Sequence, residues 1–117
     1  MFLILTQVAL GGAIGSVLRY LMVVGIGAPV ATLLVNVLGS FIMGVLFIAL
    51  AARTNLSPLF MTGILGGFTT FSAFSLDALT LWENGQTVQA TLYVLASVIL
   101  TLVAVALGAA FARGAFA

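Results

Sequence analysis

Apolar residues fill four long stretches of the chain, and short polar clusters separate them. Each stretch matches the roughly 20 residues that a helix needs to cross the hydrocarbon core of a bilayer. Proline, glycine and asparagine mark the turns between the stretches. The pattern therefore predicts four transmembrane helices, at about residues 2–24, 29–52, 58–82 and 87–112. Because these spans and their loops fill the chain, we expect one all-α integral membrane domain over residues 1–117.

The composition agrees with a protein that lies in a lipid bilayer. Hydrophobic residues make up 64% of the chain and charged residues 4%, with a mean hydropathy of +1.42. The formal net charge of +1 gives no basic field for a nucleic acid. The chain has no cysteine or histidine, and it has no pair of carboxylates that would supply a general acid and base. We therefore do not expect an enzyme.

The few arginines give a weak signal for orientation, which normally follows the positive charges of the cytoplasmic loops. With a cytoplasmic N-terminus, Arg53 and Arg113 lie inside and Arg19 lies towards the outside. Such a small bias favours insertion in both orientations and an antiparallel, dual-topology homodimer, although a single fixed orientation remains an alternative. Small residues four positions apart allow helices to approach closely, either between subunits or within one chain. These pairs are Gly11 with Gly15, Gly12 with Ser16, Ser40 with Gly44, and Gly63 with Gly67.

Polar residues recur at helical spacing on two of the predicted spans. On the second span Thr32, Asn36 and Ser40 share a face, and on the fourth span the corresponding face carries Tyr93, Ser97 and Thr101. The alternative for each hydroxyl is a bond to a carbonyl of its own helix. The carboxamide of Asn36 cannot be satisfied in that way, so we expect it to contact a partner or a permeating species.

The third span contains a sequence that disfavours a continuous helix. Gly66 and Gly67 lower the helix propensity, and Thr69, Thr70 and Ser72 follow directly. We therefore expect this helix to be broken at its centre, with backbone carbonyls free to bind a hard cation such as Na⁺. The alternative is a close helix crossing at the glycines without an ion.

Two phenylalanines follow the glycine pair at positions that share one side of the continuing helix. The positive edges of the rings of Phe71 and Phe74 could contact a small anion, whereas such rings in membrane helices usually serve packing.

Three runs of residues resemble the Fluc fluoride channels, also called the CrcB family. They are GGFTTFSAF at 66–74, LLVNVLGSF at 33–41 and GGAIGSVLRY at 11–20. The likeness extends over almost the whole chain, including its length, its four spans and its scarcity of charge. It implies a dual-topology homodimer with two antiparallel pores in the inner membrane of a bacterium or similar microbe. Such a protein exports fluoride passively and so reduces its toxicity.

The resemblance also assigns roles to particular residues. It implies a structural Na⁺ on the dimer axis, held by the backbone carbonyls of Gly66 and Thr69 of each subunit. It places Arg19 and Asp77 in a vestibule. The residues that it implies for the fluoride pore are Thr32, Asn36, Thr70, Phe71, Ser72, Phe74, Tyr93, Ser97 and Thr101. The chain departs from the family at Ala73, where relatives commonly have threonine, and at Asp77, where they often have glutamate.

Two other functions fit a small protein with four spans. A proton-coupled multidrug transporter of dual topology needs a carboxylate in the membrane, and Asp77 is the residue that could provide it. A structural or holin-like assembly protein would use the polar positions to hold its helices together.

Overall fold

A computed structural model of the chain describes residues 1–50 and 54–116, which form helices joined by short turns. Helix α1 covers Phe2–Ile26 and α2 covers Val30–Ala49. A 3₁₀ turn, Thr54–Leu56, precedes a π-helix at Pro58–Leu65, which continues into the single turn α3 at Gly66–Phe68. Helix α4 covers Ser72–Glu83 and α5 covers Thr87–Phe116.

Within residues 1–50 and 54–116, four helices are long and apolar enough to cross a membrane, with Pro58–Glu83 counted as one span. The chain is therefore a multi-pass membrane protein, as the hydrophobic pattern predicts. Arg53, on which the prediction of orientation depends, lies outside the described residues, as does the predicted end of the second span at residue 52.

The ends of the helices follow local backbone chemistry. Helix α1 ends before Gly27, which has φ 90°, and α4 is followed by Gly85 with φ 80°. The Gly85 amide donates to the carbonyl of Trp82 and the Gln86 amide donates to that of Leu81, which is a Schellman ending. Helix α5 continues past Arg113 to Phe116, because the residues after Arg113 include no proline and the arginine favours the last turn.

The third span, Pro58–Glu83, changes its packing partner along its length. Its first part, the π-helix and α3, packs mainly against α1. Its second part, α4, packs mainly against α5, which also forms the most extensive helix contact in the chain with α2. Helical backbone stops at Phe68 and resumes at Ser72, so residues 69–71, called the interruption below, lie where the partner changes.

Glycines bring α1 and the first part of the third span into backbone contact. A Cβ at Gly15 would collide with the carbonyl of Ile64 and lie 2.8 Å from the amide nitrogen of Phe68. A Cβ at Gly63 would lie 2.9 Å from the Cα of Gly11, and one at Gly67 would lie 2.6 Å from the carbonyl oxygen of Gly12. These small residues therefore serve packing within one chain, which is one of the two alternatives that the sequence leaves open.

Candidate functional site

The interruption begins with an extended residue, Thr69, which lies next to a glycine of α2. Thr69 has φ −85° and ψ 155°, which takes the chain out of the helix directly after Phe68. A Cβ at Gly39 would collide with the methyl group of Thr69 and lie 3.3 Å from the ring of Phe68. Gly39 thus lets α2 approach the interruption closely enough for polar side chains of α2 to reach its backbone.

Asn36 of α2 pairs with the backbone of the interruption through both ends of its carboxamide. Its Nδ2 donates to the carbonyl of Thr70 at 2.9 Å, and its Oδ1 accepts from the amide of Thr70 at 2.8 Å. The side chain therefore replaces a peptide group as the partner of Thr70. One Nδ2 hydrogen remains beyond this pair, since a carboxamide carries two.

Two helical carbonyls lose their usual donors at the interruption. In a continuous α-helix the amide of Thr70 would donate to the carbonyl of Gly66, and the amide of Ala73 would donate to that of Thr69. Here the Thr70 amide donates to Asn36, and the Ala73 amide donates to the Thr70 hydroxyl at 3.1 Å. The carbonyl groups of Gly66 and Thr69 are thereby left without those donors.

The carbonyl of Gly67 has a different partner. Arg19 of α1 donates from its Nε to this oxygen at 3.1 Å. The resemblance implies a vestibule for Arg19, and the structure places its guanidinium beside the backbone of the third span.

An open cavity of about 420 Å³ lies beside the interruption. Side chains of α2, α4 and α5 line it together with the interruption itself, and none of its lining residues is charged. The lining residues are Asn36, Ser40, Gly66, Thr69, Thr70, Phe71, Phe74, Ser97, Val98 and Thr101.

Aromatic rings form a row from the interruption to α5. The centroids of Phe71 and Phe74 lie 5.3 Å apart with the planes inclined by 52°, and those of Phe74 and Tyr93 lie 5.4 Å apart with an inclination of 39°. Phe74 and Tyr93 are each 8% exposed, whereas Phe71 is 78% exposed. Phe71 therefore presents its ring to the surroundings of the chain, and Phe74 is held between two neighbours.

Tyr93 is bonded to Asp77 at the far end of this row. Its hydroxyl donates to Oδ2 of Asp77 at 3.0 Å, which joins α5 to α4. The carboxylate of Asp77 thus has a defined partner on α5.

The two hydroxyls of α5 in the cavity differ in their bonding. Thr101 donates to the carbonyl of Ser97 in its own helix at 2.6 Å, as the alternative for such residues predicts. The hydroxyl of Ser97 is buried and has no hydrogen-bond partner among the described residues. Its hydrogen is therefore not used by any partner among the described residues.

The structure brings together most, but not all, of the residues that the sequence assigns to a site. Ser40 and Val98 also line the cavity, although neither was assigned to it. The sequence pattern already places Ser40 on the same face of α2 as Asn36, one helical turn further along, and that spacing is the signal for its position at the cavity. The assigned residues that are not among the lining residues are Arg19, Thr32, Ser72, Asp77 and Tyr93.

The sequence matches one family model and is similar to proteins that share one name. A model of the family described as CrcB-like protein, Camphor Resistance (CrcB), matches residues 6–109. A protein of Cereibacter sphaeroides named fluoride-specific ion channel FluC is 55% identical over 117 residues, which cover 94% of each chain. Proteins of the same name from Ruegeria sp. and Jannaschia sp. are 53% and 57% identical and cover 97% and 80% of this chain, and 98% and 91% of their own lengths.

Proposed function

The chain belongs to the CrcB-like family, and from that premise we propose that it is a fluoride-selective ion channel of the cell membrane. Its relatives are named as ion channels, in agreement with the expectation that the chain is not an enzyme. Fluoride passes through it down its electrochemical gradient. In a cell that has accumulated fluoride the net flow is outward, and this reduces fluoride toxicity.

The uncharged polar cavity at the interruption is the observation that supports this proposal most. Fluoride is small and strongly hydrated, so a pore must offer several donors in place of water and still release the ion. The remaining Nδ2 hydrogen of Asn36 and the unpaired hydroxyl of Ser97 are such donors. The edges of Phe71 and Phe74 carry partial positive charge and add weak attraction. A fixed cationic ligand would hold the anion too tightly for conduction.

A structural Na⁺ fits the backbone of the interruption. Carbonyl oxygens are suitable ligands for a hard cation, and those of Gly66 and Thr69 have lost their helical donors to side-chain oxygens. Within the described residues, no group of three or more His, Cys, Asp or Glu residues could hold a metal ion. We therefore assign the Na⁺ to these two carbonyls of each subunit of a dimer, where its charge would stabilise the interruption and attract anions.

An antiparallel homodimer would complete the cavity. The cavity is open near the middle of a membrane span, and its polar lining would face lipid if nothing covered it, which is unfavourable. A second copy of the chain could cover this side and supply the other wall of a pore. The two copies would then form two pores of opposite direction.

Reconstitution tests the proposal directly. We expect purified protein in liposomes loaded with potassium fluoride and potassium chloride to release fluoride after addition of valinomycin, while chloride is retained. Ion-selective electrodes measure both anions in the same sample. Equal release of both anions, or release of neither, would overturn the proposal. Replacement of Na⁺ by N-methylglucamine during purification should weaken the dimer or the flux if the cation site exists.

The alternative function, a proton-coupled multidrug transporter, can be distinguished from a channel because it needs the carboxylate of Asp77 in the third span. Asp77→Asn removes the group that would exchange a proton, but it retains an oxygen that can accept from Tyr93. A channel should keep most of its fluoride flux after this change. Loss of proton-driven export of a cationic dye, with no fluoride flux in the unchanged protein, would favour the transporter.

A further inference from the structure

Arg19 is a charged residue within a transmembrane helix. It lies in the second half of α1, and its side chain is partly buried against the third span. A guanidinium in a membrane span is costly unless it has a partner, and its position indicates a function by default. The hydrogen bond of Arg19 joins Nε to the carbonyl oxygen of Gly67 rather than to a carboxylate.

Gly67 occupies a particular place in the interrupted backbone. In a continuous helix its carbonyl would accept from the amide of Phe71, which is now part of the interruption. Arg19 of α1 therefore donates to the carbonyl of Gly67 in place of the amide of Phe71. On the other side, Asn36 of α2 holds Thr70. Side chains from two helices thus hold the backbone before and after Thr69.

The contact between α1 and the third span places the donor accurately. A Cβ at Gly67 would lie 3.1 Å from the hydroxyl oxygen of Ser16 and 2.6 Å from the carbonyl oxygen of Gly12. The two backbones are therefore in contact one to two helical turns before Arg19. From there the arginine can reach Gly67 without rearrangement of either helix.

We propose that Arg19 is a positioning residue that holds the interruption open through its Nε–H donor to Gly67, and that its charge does not serve to attract anions. By occupying the Gly67 carbonyl, it leaves the carbonyls of Gly66 and Thr69 as those available to a cation. The part of this inference that concerns transport rests on the proposed function, whereas the part that concerns the backbone does not.

Two substitutions separate the donor from the charge. Arg19→Gln is neutral, but its Nε2 lies the same number of bonds from the backbone as the Nε of arginine, so it retains a donor for Gly67. Arg19→Met has a similar length and offers no donor. If the donor is what matters, the glutamine variant should resemble the unchanged protein and the methionine variant should not.

The direct readout is amide hydrogen exchange in a peptide that covers residues 66–75, measured by mass spectrometry on protein in liposomes. We expect exchange in Arg19→Met to be about tenfold faster, because leaving the part-buried carbonyl of Gly67 without a donor weakens local structure by that order. We expect exchange in Arg19→Gln to stay within about twofold of the unchanged protein, since a donor to Gly67 remains. Fluoride flux should follow the same order.

Gln7→Met is the matched control. Gln7 is also a polar residue of α1 that donates to a backbone carbonyl, that of Asn55 at 3.2 Å, but it lies away from the interruption. Its replacement should leave exchange at 66–75 unchanged.

Two results would overturn the inference. One is unchanged exchange at residues 66–75 in Arg19→Met, and the other is an equal loss of flux in Arg19→Gln and Arg19→Met, which would assign the effect to charge. If Arg19→Met does not fold, fast exchange or loss of flux in Arg19→Gln is sufficient to reject the inference. Failure of the proposed function is distinguishable, because the unchanged protein would then carry no fluoride while the exchange comparison remained measurable.

Discussion

The two parts of the third span are held in place by opposite means. The first part, the π-helix and α3, contacts α1 where side chains are missing, at Gly11, Gly15, Gly63 and Gly67. The second part, α4, contacts α5 through side chains, with Phe74 against Tyr93 and Tyr93 bonded to Asp77. The interruption lies between them and is held by Asn36 and Arg19.

This difference separates stability from transport. A backbone contact tolerates no added atom, so changes in the first part should affect folding. Donors and rings that face a cavity can be altered while the helices remain packed, so changes beside the second part should affect transport. Predictions for the two parts should therefore differ in the quantity that changes.

The largest expected effect follows from filling the glycine contact. In Gly15→Ala the new methyl group would collide with the carbonyl of Ile64, and the helices must separate to accommodate it. We expect a loss of stability of about 1–3 kcal/mol, which is usual for an overpacked site. Thermal unfolding followed by size-exclusion chromatography in detergent measures it.

Gly12→Ala is the control for this prediction. It is on the same helix, but a Cβ there would meet no atom within 4 Å. Its stability should be equal or slightly higher, since alanine favours a helix. If both variants lose the same stability, the α1 contact is not what makes Gly15 sensitive.

The next effect concerns the pairing between α2 and the interruption. Asn36→Asp retains the acceptor for the Thr70 amide, but it replaces the donor to the Thr70 carbonyl with an oxygen and adds negative charge beside the cavity. We expect fluoride flux to fall about a hundredfold, in line with the cost of a carboxylate within a membrane. Efflux from liposomes measures the change.

Asn84→Asp adds the same charge in the exposed turn after α4 and should leave the flux unchanged. Normal flux in the Asn36 variant would place Asn36 away from the path of the ion.

The next prediction concerns two rings of the aromatic row, the exposed Phe71 and the buried Phe74. Phe71→Ile should reduce flux about tenfold without a loss of stability, because its ring has one ring neighbour and is largely exposed in the single chain. Phe74→Ile should reduce both flux and stability, since Phe74 is held between Phe71 and Tyr93. Flux and thermal unfolding are measured on the same preparations, with the exposed Phe47→Ile as control. Unchanged flux in both variants would remove the aromatic rings from the conduction path.

Much of the fold could be predicted from the sequence, because each helix that crosses a membrane must be an apolar stretch of sufficient length. The π-helix at Pro58–Leu65 was not predicted. Its residues are apolar like those of an α-helix, and the hydrophobic pattern does not specify which carbonyl each amide will bind. The change of packing partner along the third span was not predicted from the sequence either. Glycines allow a close contact with any neighbouring helix, so their positions do not specify which helix is contacted.

For the candidate site, the sequence pattern indicates which polar residues share a helix face, but it does not indicate how they are bonded. Helical spacing brought Asn36, Ser97 and Thr101 onto faces that do line one cavity. Spacing could not reveal that Asn36 pairs with the backbone of Thr70, or that Arg19 reaches Gly67. Both bonds join residues more than 30 positions apart, so they depend on how the helices pack. The same limit applies to Tyr93, whose spacing suggests the cavity but whose hydroxyl is taken by Asp77.

The smallest expected effect concerns Ser97, which differs from its neighbour Thr101 in one respect. The hydroxyl of Thr101 is satisfied within α5, whereas that of Ser97 is buried without a partner among the described residues. Removal of an unpaired buried hydroxyl should not destabilise the protein, so Ser97→Ala should unfold at the same or a higher temperature. If this hydroxyl donates to the passing anion, flux should nevertheless fall about threefold, which corresponds to the loss of one modest hydrogen bond. Ser75→Ala is the control, since Ser75 donates to the carbonyl of Phe71 in the manner of Thr101, and its flux should not change. A stability loss in Ser97→Ala at normal flux would mean that the hydroxyl has a structural partner, and the contrast between packing and transport would not extend to α5.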